Sequence, residues 1–192
     1  MATTFAFDGT NPAAQAAANR FAAQMVAGVS EETRAALKAL IVRSIREGIP
    51  PYDAARMIRS MIGLNAKQAQ AAVAYRQALI DAGQTLEKAD ALVERYAERK
   101  LRQRAETIAR TEIMGALNEG SRQAYKQAQD EGLLGDDAKK EWIVTPDEAL
   151  CPICRPLDGV QVRLDEDFQT SVGPLPGPPA HPNCRCAQAA VA

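Results

Sequence analysis

The chain has 192 residues and carries 23 Lys and Arg against 24 Asp and Glu, a net charge of −1; a protein held to polyanions by its overall charge is excluded, and any nucleic-acid contact has to be local. Hydrophobic residues make up 46% but aromatics only 5%, a mixture that favours helices meeting through small side chains and argues against a large aromatic ligand pocket. No stretch approaches the roughly 18 apolar residues of a membrane span, and the opening MATTFAFDGTNPAAQAAANRF lacks the basic and apolar regions of a leader, so no membrane partner is expected and a cytosol-like, reducing compartment is.

Proline divides the chain: none lies between Pro51 and Pro146, whereas eight of the eleven fall from Pro146 onward, leaving the interior free to be helix. Asn11 and Pro12 read as a cap and first turn of an Ala-rich helix that ends near Gly28. Ser30, with Glu31 and Glu32 in the first turn, opens a second helix carrying Leu37, Leu40, Ile41 and Ile45 and stopping at Gly48. Pro50 and Pro51 turn the chain into a short helix from about Tyr52 to Ile62. Asn65 and Gln68 have the spacing of a capping box for a fourth helix that ends at Gly83. From Thr85 to about Glu131 a single long helix is expected, bent near Gly115, with Val93, Ala97, Leu101, Ala105 and Ile108 on one face.

After Gly132 and Gly135 the pattern becomes that of a small β element. Trp142 to Thr145 reads as a strand, and Asp158-Gly159 between Leu157 and Val160 as a hairpin turn. The run SVGPLPGPPA at 171–180 can be neither helix nor central strand and is expected as a surface loop that delivers His181. The reading is an α+β protein in three parts: an Ala-rich helix or arm over 1–28, a helical domain over 29–135, and a β module over 136–192 docked on the long helix.

All four cysteines and the only histidine lie in the last 42 residues, a clustering with random odds on the order of one in two thousand. A pair two residues apart can bend both sulfurs toward one point, so Cys151 and Cys154 form half of a tetrahedral zinc cage. His181 and Cys184 supply the other half, with Cys186 as the alternative ligand if His181 points away. Buried thiols in a small core and a redox or nucleophilic cysteine are the competing readings. The order of the motifs does not fit a zinc deaminase: Leu150 precedes Cys151, and Asn183 stands where the proton-shuttling glutamate belongs. A cage filled by four side chains leaves no open position for a reactive water, so the zinc is expected to be structural and the chain not to be an enzyme.

Two features of the long helix remain. Thr111, Gly115, Asn118, Arg122 and Tyr125 fall within about 40° of one line, a small and polar stripe on which the β module is expected to dock. Upstream, Arg95, Arg99, Lys100, Arg102, Arg104 and Arg110 form a basic stretch. Because Glu98, Arg102, Glu106 and Arg110 alternate at i,i+4, and no aromatic is interleaved, this stretch reads as a solvated face laced by ion pairs rather than as a nucleic-acid surface.

In order, ARTE at 109–112, Asn118, Gly120, Trp142, Asp147, CPIC, LDG at 157–159, Phe168 and PPAHPNCRC at 178–186 resemble the phage head morphogenesis family, the minor head proteins similar to protein F of phage Mu and to the SPP1 minor head protein. The resemblance implies a virion component made in the host cytoplasm. It would associate with the portal protein and the procapsid interior and act in head assembly or DNA delivery, with phage DNA a further candidate partner; no catalysis is implied. The family's motifs fall on Cys151, Cys154, His181 and Cys184 and on Arg110, Thr111, Glu112, Asn118, Asp147, Asp158 and Gly159. Enzyme or toxin domains that follow the module in some members are not expected in the six residues after Cys186. The alternative is a zinc-containing DNA-processing enzyme or nuclease, which one histidine and a filled cage leave without a general base or an open metal position.

Overall fold

The computed structural model describes residues 28–146 and 150–191 together with Pro12, Ala16 and Val26; most of the helix expected over 11–28, and Asp147, lie outside the described residues. Four helices follow one another: α1 (Glu31–Glu47), α2 (Pro51–Arg59), α3 (Ala66–Asp81) and α4 (Leu86–Asp130). Their ends are set locally. The Ser30 hydroxyl accepts from the Thr33 N–H, Gly48 closes α1 in the left-handed region at φ 65°, and Pro51 takes the first position of α2, where its missing N–H costs nothing. Asn65 and Gln68 make both bonds of the expected capping box. At 45 residues, α4 is about 68 Å long and runs unbroken through Gly115.

The helical core joins Leu37, Ile41 and Ile45 of α1 and Ala54, Ala55 and Ile58 of α2 to Ala105, Ile108, Ala109, Ile113 and Ala116 of α4. Alanines at the crossing let the α2 and α4 backbones approach closely, which is how a chain poor in aromatics fills its interior. Arg104, counted in sequence with the basic stretch, is buried; its guanidinium donates to the carbonyls of Gly63 at 2.6 Å and Gly28 at 3.3 Å, pinning the two loops that flank the first two helices. The ion-pair ladder expected along α4 is not made: Glu98, Arg102, Glu106 and Arg110 form no ion pair with one another. Exposed pairs of this kind gain too little to order two long side chains.

The tail is a three-stranded antiparallel sheet in the order β2-β1-β5 beside a two-stranded hairpin β3-β4, with β1 Lys139–Ile143, β2 Gln161–Arg163, β3 Phe168–Thr170, β4 Gly173–Leu175 and β5 Ala187–Val191. Strand β1 starts three residues earlier than expected and stops at Ile143. Its buried face carries Trp142 and also Lys140, only 1% exposed, whose ammonium donates to the Pro176 carbonyl at 2.8 Å and lies 5.4 Å from the Phe168 ring centre. A buried lysine masks the alternation by which a strand is read.

Asp158 (φ −58°, ψ 124°) and Gly159 (φ 71°) form a type II turn closed by Val160 N–H to Leu157 O, whose third position needs the positive φ that glycine supplies. It is not a two-residue hairpin: β1 and β2 are separated by the whole CPIC segment, and the turn feeds β2 back onto β1. The 171–180 run is also more ordered than expected, because Gly173–Leu175 pairs with β3, Pro174 lying opposite Gln169. A two-stranded hairpin has an outer edge where a proline's missing N–H is not felt.

Beyond β4 the chain crosses α4. A Cβ on Gly115 would meet the Pro179 ring at 3.5 Å, ordinary contact for one methyl and no room for more. Gly115→Ala is therefore expected to leave thermal stability nearly unchanged, and Gly115→Leu to cost about 1–3 kcal/mol by forcing the proline segment off the helix. Equal unfolding midpoints for the two variants would show that this contact is slack.

Candidate metal centre and its seat on the long helix

Residues 151–154 form a turn that leads into a short 3-10 helix, Arg155–Leu157, with Arg155 N–H on the Cys151 carbonyl at 3.0 Å and Cys154 N–H on the Cys151 sulfur at 3.3 Å. The second turn is closed by Cys184 N–H to the His181 carbonyl at 3.2 Å. It requires Asn183 at φ 66°, the one non-glycine residue with positive φ among those described. Asparagine tolerates that region better than other side chains.

The two turns bring the donors together. His181 Nε2 lies 3.0 Å from Cys151 Sγ and 3.3 Å from Cys154 Sγ, and Cys154 Sγ lies 3.8 Å from Cys184 Sγ. In a zinc tetrahedron the edges are about 3.6 Å between sulfur and nitrogen and about 3.8 Å between sulfurs, so the sulfur pair is at the edge length and the imidazole sits slightly inside it. The donors form two overlapping trios, Cys151–Cys154–His181 and Cys154–Cys184–Cys186, which could hold a metal ion and share Cys154. His181 does not point away: Nδ1 lies 2.8 Å from the Pro182 carbonyl. A carbonyl can only accept, so the ring proton sits on Nδ1 and the Nε2 lone pair faces the sulfurs.

The thiols of the cluster share their protons unequally. The Cys184 thiol is pulled down to about 5, first by the Cys186 thiol bonding to its sulfur, with burial opposing. Cys186 is pushed up because its proton is held against Cys184, and burial takes Cys154 up to about 12. At Cys151 burial acts upward but is outweighed by the Cys154 and Ile153 N–H groups; at His181 burial acts downward but is outweighed by the Pro182 carbonyl and the Cys184 and Cys151 sulfurs. A divalent cation replaces such shared protons directly. Around the cluster, Trp142 and Phe168 pack edge to face at 5.2 Å in a small core with Val144, Leu157 and the buried cysteines 154, 184 and 186.

The long helix seats this cluster through the residues singled out in sequence. Arg110 donates to the Asn183 side-chain oxygen at 2.7 Å, and the Asn183 N–H donates to the Thr111 hydroxyl at 2.7 Å. The Thr111 hydroxyl in turn donates to the Thr107 carbonyl at 2.7 Å, so both of its roles are used. Two turns further on, Asn118 accepts from Gln188 N–H at 3.1 Å and donates to the Cys186 carbonyl at 3.2 Å. Tyr125 OH donates to the Gln188 carbonyl at 3.2 Å. These are backbone groups on the free edge of β5, which the helix covers in place of another strand. Glu112 is buried beside them and lines, with Glu119, Arg122 and the 175–179 segment, a cleft of about 300 Å³. Asp158 is placed otherwise, accepting from Val144 N–H at 3.3 Å and so holding the end of β1 against the turn. Asn183 stands inside the HPNCRC motif, but nothing in sequence marks it as a partner of the helix, and Gln188 belongs to no local pattern.

A helical body, a small sheet beside a cysteine-histidine cluster that could hold a metal ion, and a helix stripe that covers the sheet edge define the module. The chain belongs to the family of Phage Mu protein F like proteins, whose family model matches residues 35–189. That span runs from within α1 to within β5 and takes in every donor of the cluster, and the family points to a phage head morphogenesis protein. No curated protein and no solved structure matches the chain. Among the described residues no helix is long and apolar enough to cross a membrane.

Proposed function

We propose that this chain is a minor head protein of the virion, associated with the portal and the procapsid interior, whose β module is held in shape by one structural zinc ion on Cys151, Cys154, His181 and Cys184. The observation that carries the metal reading is the imidazole nitrogen facing two cysteine sulfurs at 3.0 and 3.3 Å, a placement that buried thiols packed for their bulk alone have no reason to adopt. Zinc suits the set because sulfur and imidazole donors in a closed tetrahedron are its ordinary structural site. Cys186 then serves as a hydrogen-bond donor to the Cys184 sulfur, and the filled set favours a scaffolding role over hydrolysis. The family match over residues 35–189 supports the head assignment.

The expected result is that the protein co-sediments with procapsids and that its incorporation depends on the portal protein. Heads assembled from portal, scaffold and capsid proteins that exclude it would overturn the head reading. Metal-dependent DNA cleavage by the purified protein would replace it with the nuclease reading.

A further inference from the structure

Across the α2–α4 crossing lies a groove that the metal centre does not use. One cavity of about 280 Å³ is lined by Tyr52, Arg56, Arg59, Arg102 and Glu106, and a second of about 130 Å³ by Pro51, Tyr52, Glu106 and Arg110. They share Tyr52 and Glu106 and so lie side by side along the crossing. Arg56, Arg59 and Arg102 are exposed and make no ion pair or hydrogen bond in the structure. Tyr52 is 68% exposed and contributes nothing to the core.

We infer that this groove binds the phosphodiester backbone of a nucleic acid, with Arg56, Arg59 and Arg102 on phosphates and the Tyr52 ring against the strand. The two linings hold four guanidiniums, that of Arg110 bonded to Asn183, and one carboxylate, Glu106, with Asp53 in the first turn of α2, an excess of positive charge that the chain's overall balance conceals. Unpaired like charges held close together repel, and an anion in the groove removes the repulsion. Every cation lining it is arginine and none is lysine, which matches the planar fork that engages phosphate oxygens in pairs. An acidic peptide would answer the charge but would leave the exposed ring idle, whereas a nucleic-acid strand uses it for stacking. From Arg102 to Arg110 the groove follows α4 for about 12 Å, enough for about two or three nucleotides.

The inference is independent of the zinc reading, and metal content measured on the same samples separates the two. The test is fluorescence anisotropy of full-length protein with a labelled 20-mer of dT, a 20-base-pair duplex and poly-glutamate as competitor, between 50 and 200 mM salt. With about three phosphates engaged, log K should fall with log salt at a slope of about −2 for the single strand and about −2.7 for the duplex. The triple variant R56A/R59A/R102A should lose at least about tenfold in affinity for both, and Tyr52→Ala at least about threefold for dT, with unfolding midpoints unchanged since all four side chains are exposed. Absence of salt-dependent binding, equal affinity in the triple variant, no effect of Tyr52→Ala on dT, or competition by poly-glutamate as strong as by unlabelled dT would overturn the inference.

Discussion

Stripping the metal from the purified protein with a strong chelator should melt the region after Gly135 and leave the four helices standing. The tail's own core is small, Trp142, Val144, Leu157 and Phe168 with three buried cysteines; three short strands separate the CPIC and HPNC turns, and the bonds to α4 reach Asn183 and the β5 edge. A four-donor zinc site supplies on the order of 10 kcal/mol of apparent binding energy, more than so small a core can replace. The helices have their own core from Leu37 to Ala116 and do not need it. Trp142, the only tryptophan and fully buried, reports the change directly: its emission should shift to the red while most of the helical circular dichroism remains. Purified protein should contain about one zinc per chain. Cys154→Ser should have the largest effect on metal content, because Cys154 is shared by both donor trios, and Cys151→Ser and Cys184→Ser should also abolish stoichiometric binding. Cys186→Ser should keep the metal. Protein prepared anaerobically without chelator, with four titratable thiols and no metal, would return the cluster to a packed-thiol core.

Asn118→Ala should be the most damaging substitution on the helix, at about 2–4 kcal/mol. Its amide is the partner of two buried backbone groups on the β5 edge, Gln188 N–H and the Cys186 carbonyl, and truncation leaves both without a partner where water does not reach. Each orphaned group costs about 1–3 kcal/mol. The Gln188 side chain, which donates to the Asn118 carbonyl at 2.7 Å, and the Tyr125 hydroxyl on the Gln188 carbonyl would be left to hold this part of the joint. Arg99→Ala, on the exposed face, should change stability by less than about 0.5 kcal/mol. Chemical unfolding of the two variants, followed by Trp142 emission, measures the difference; a loss below about 1 kcal/mol for Asn118→Ala would show that the edge is satisfied some other way.

What was legible in the sequence was what neighbours in the chain decide. Ser30, Asn65 and Thr85 cap helices because a side-chain oxygen reaches an N–H three residues on. Prolines confine the long helices to the middle of the chain, and the CPIC and HPNC spacings announce a shared centre because two intervening residues suffice to turn a chain back on itself. The stripe from Thr111 to Tyr125 was visible by its period alone. Its partners were not, since Asn183 and Gln188 lie about 70 residues away and nothing in their own neighbourhood marks them.

Tertiary structure decided which charges are free. In sequence Arg102 and Arg104 look alike, but they stand 200° apart on the helix: one is drawn into the body to satisfy the carbonyls of Gly28 and Gly63, the other left in a groove beside Tyr52, about 50 residues earlier. Lys140 shows the same rule from the other side, a charge carried into a strand because the Pro176 carbonyl and the Phe168 face wait there. The sequence by itself determined the helices, most of their ends (α2 stops at Arg59, short of the expected Ile62) and the five donors of the candidate metal centre, all consequences of short-range sterics and hydrogen bonding. The seat of that centre on α4 and the basic groove at the α2–α4 crossing arise only when distant segments pack, because burial, not residue type, sets whether a polar group is a partner or a surface.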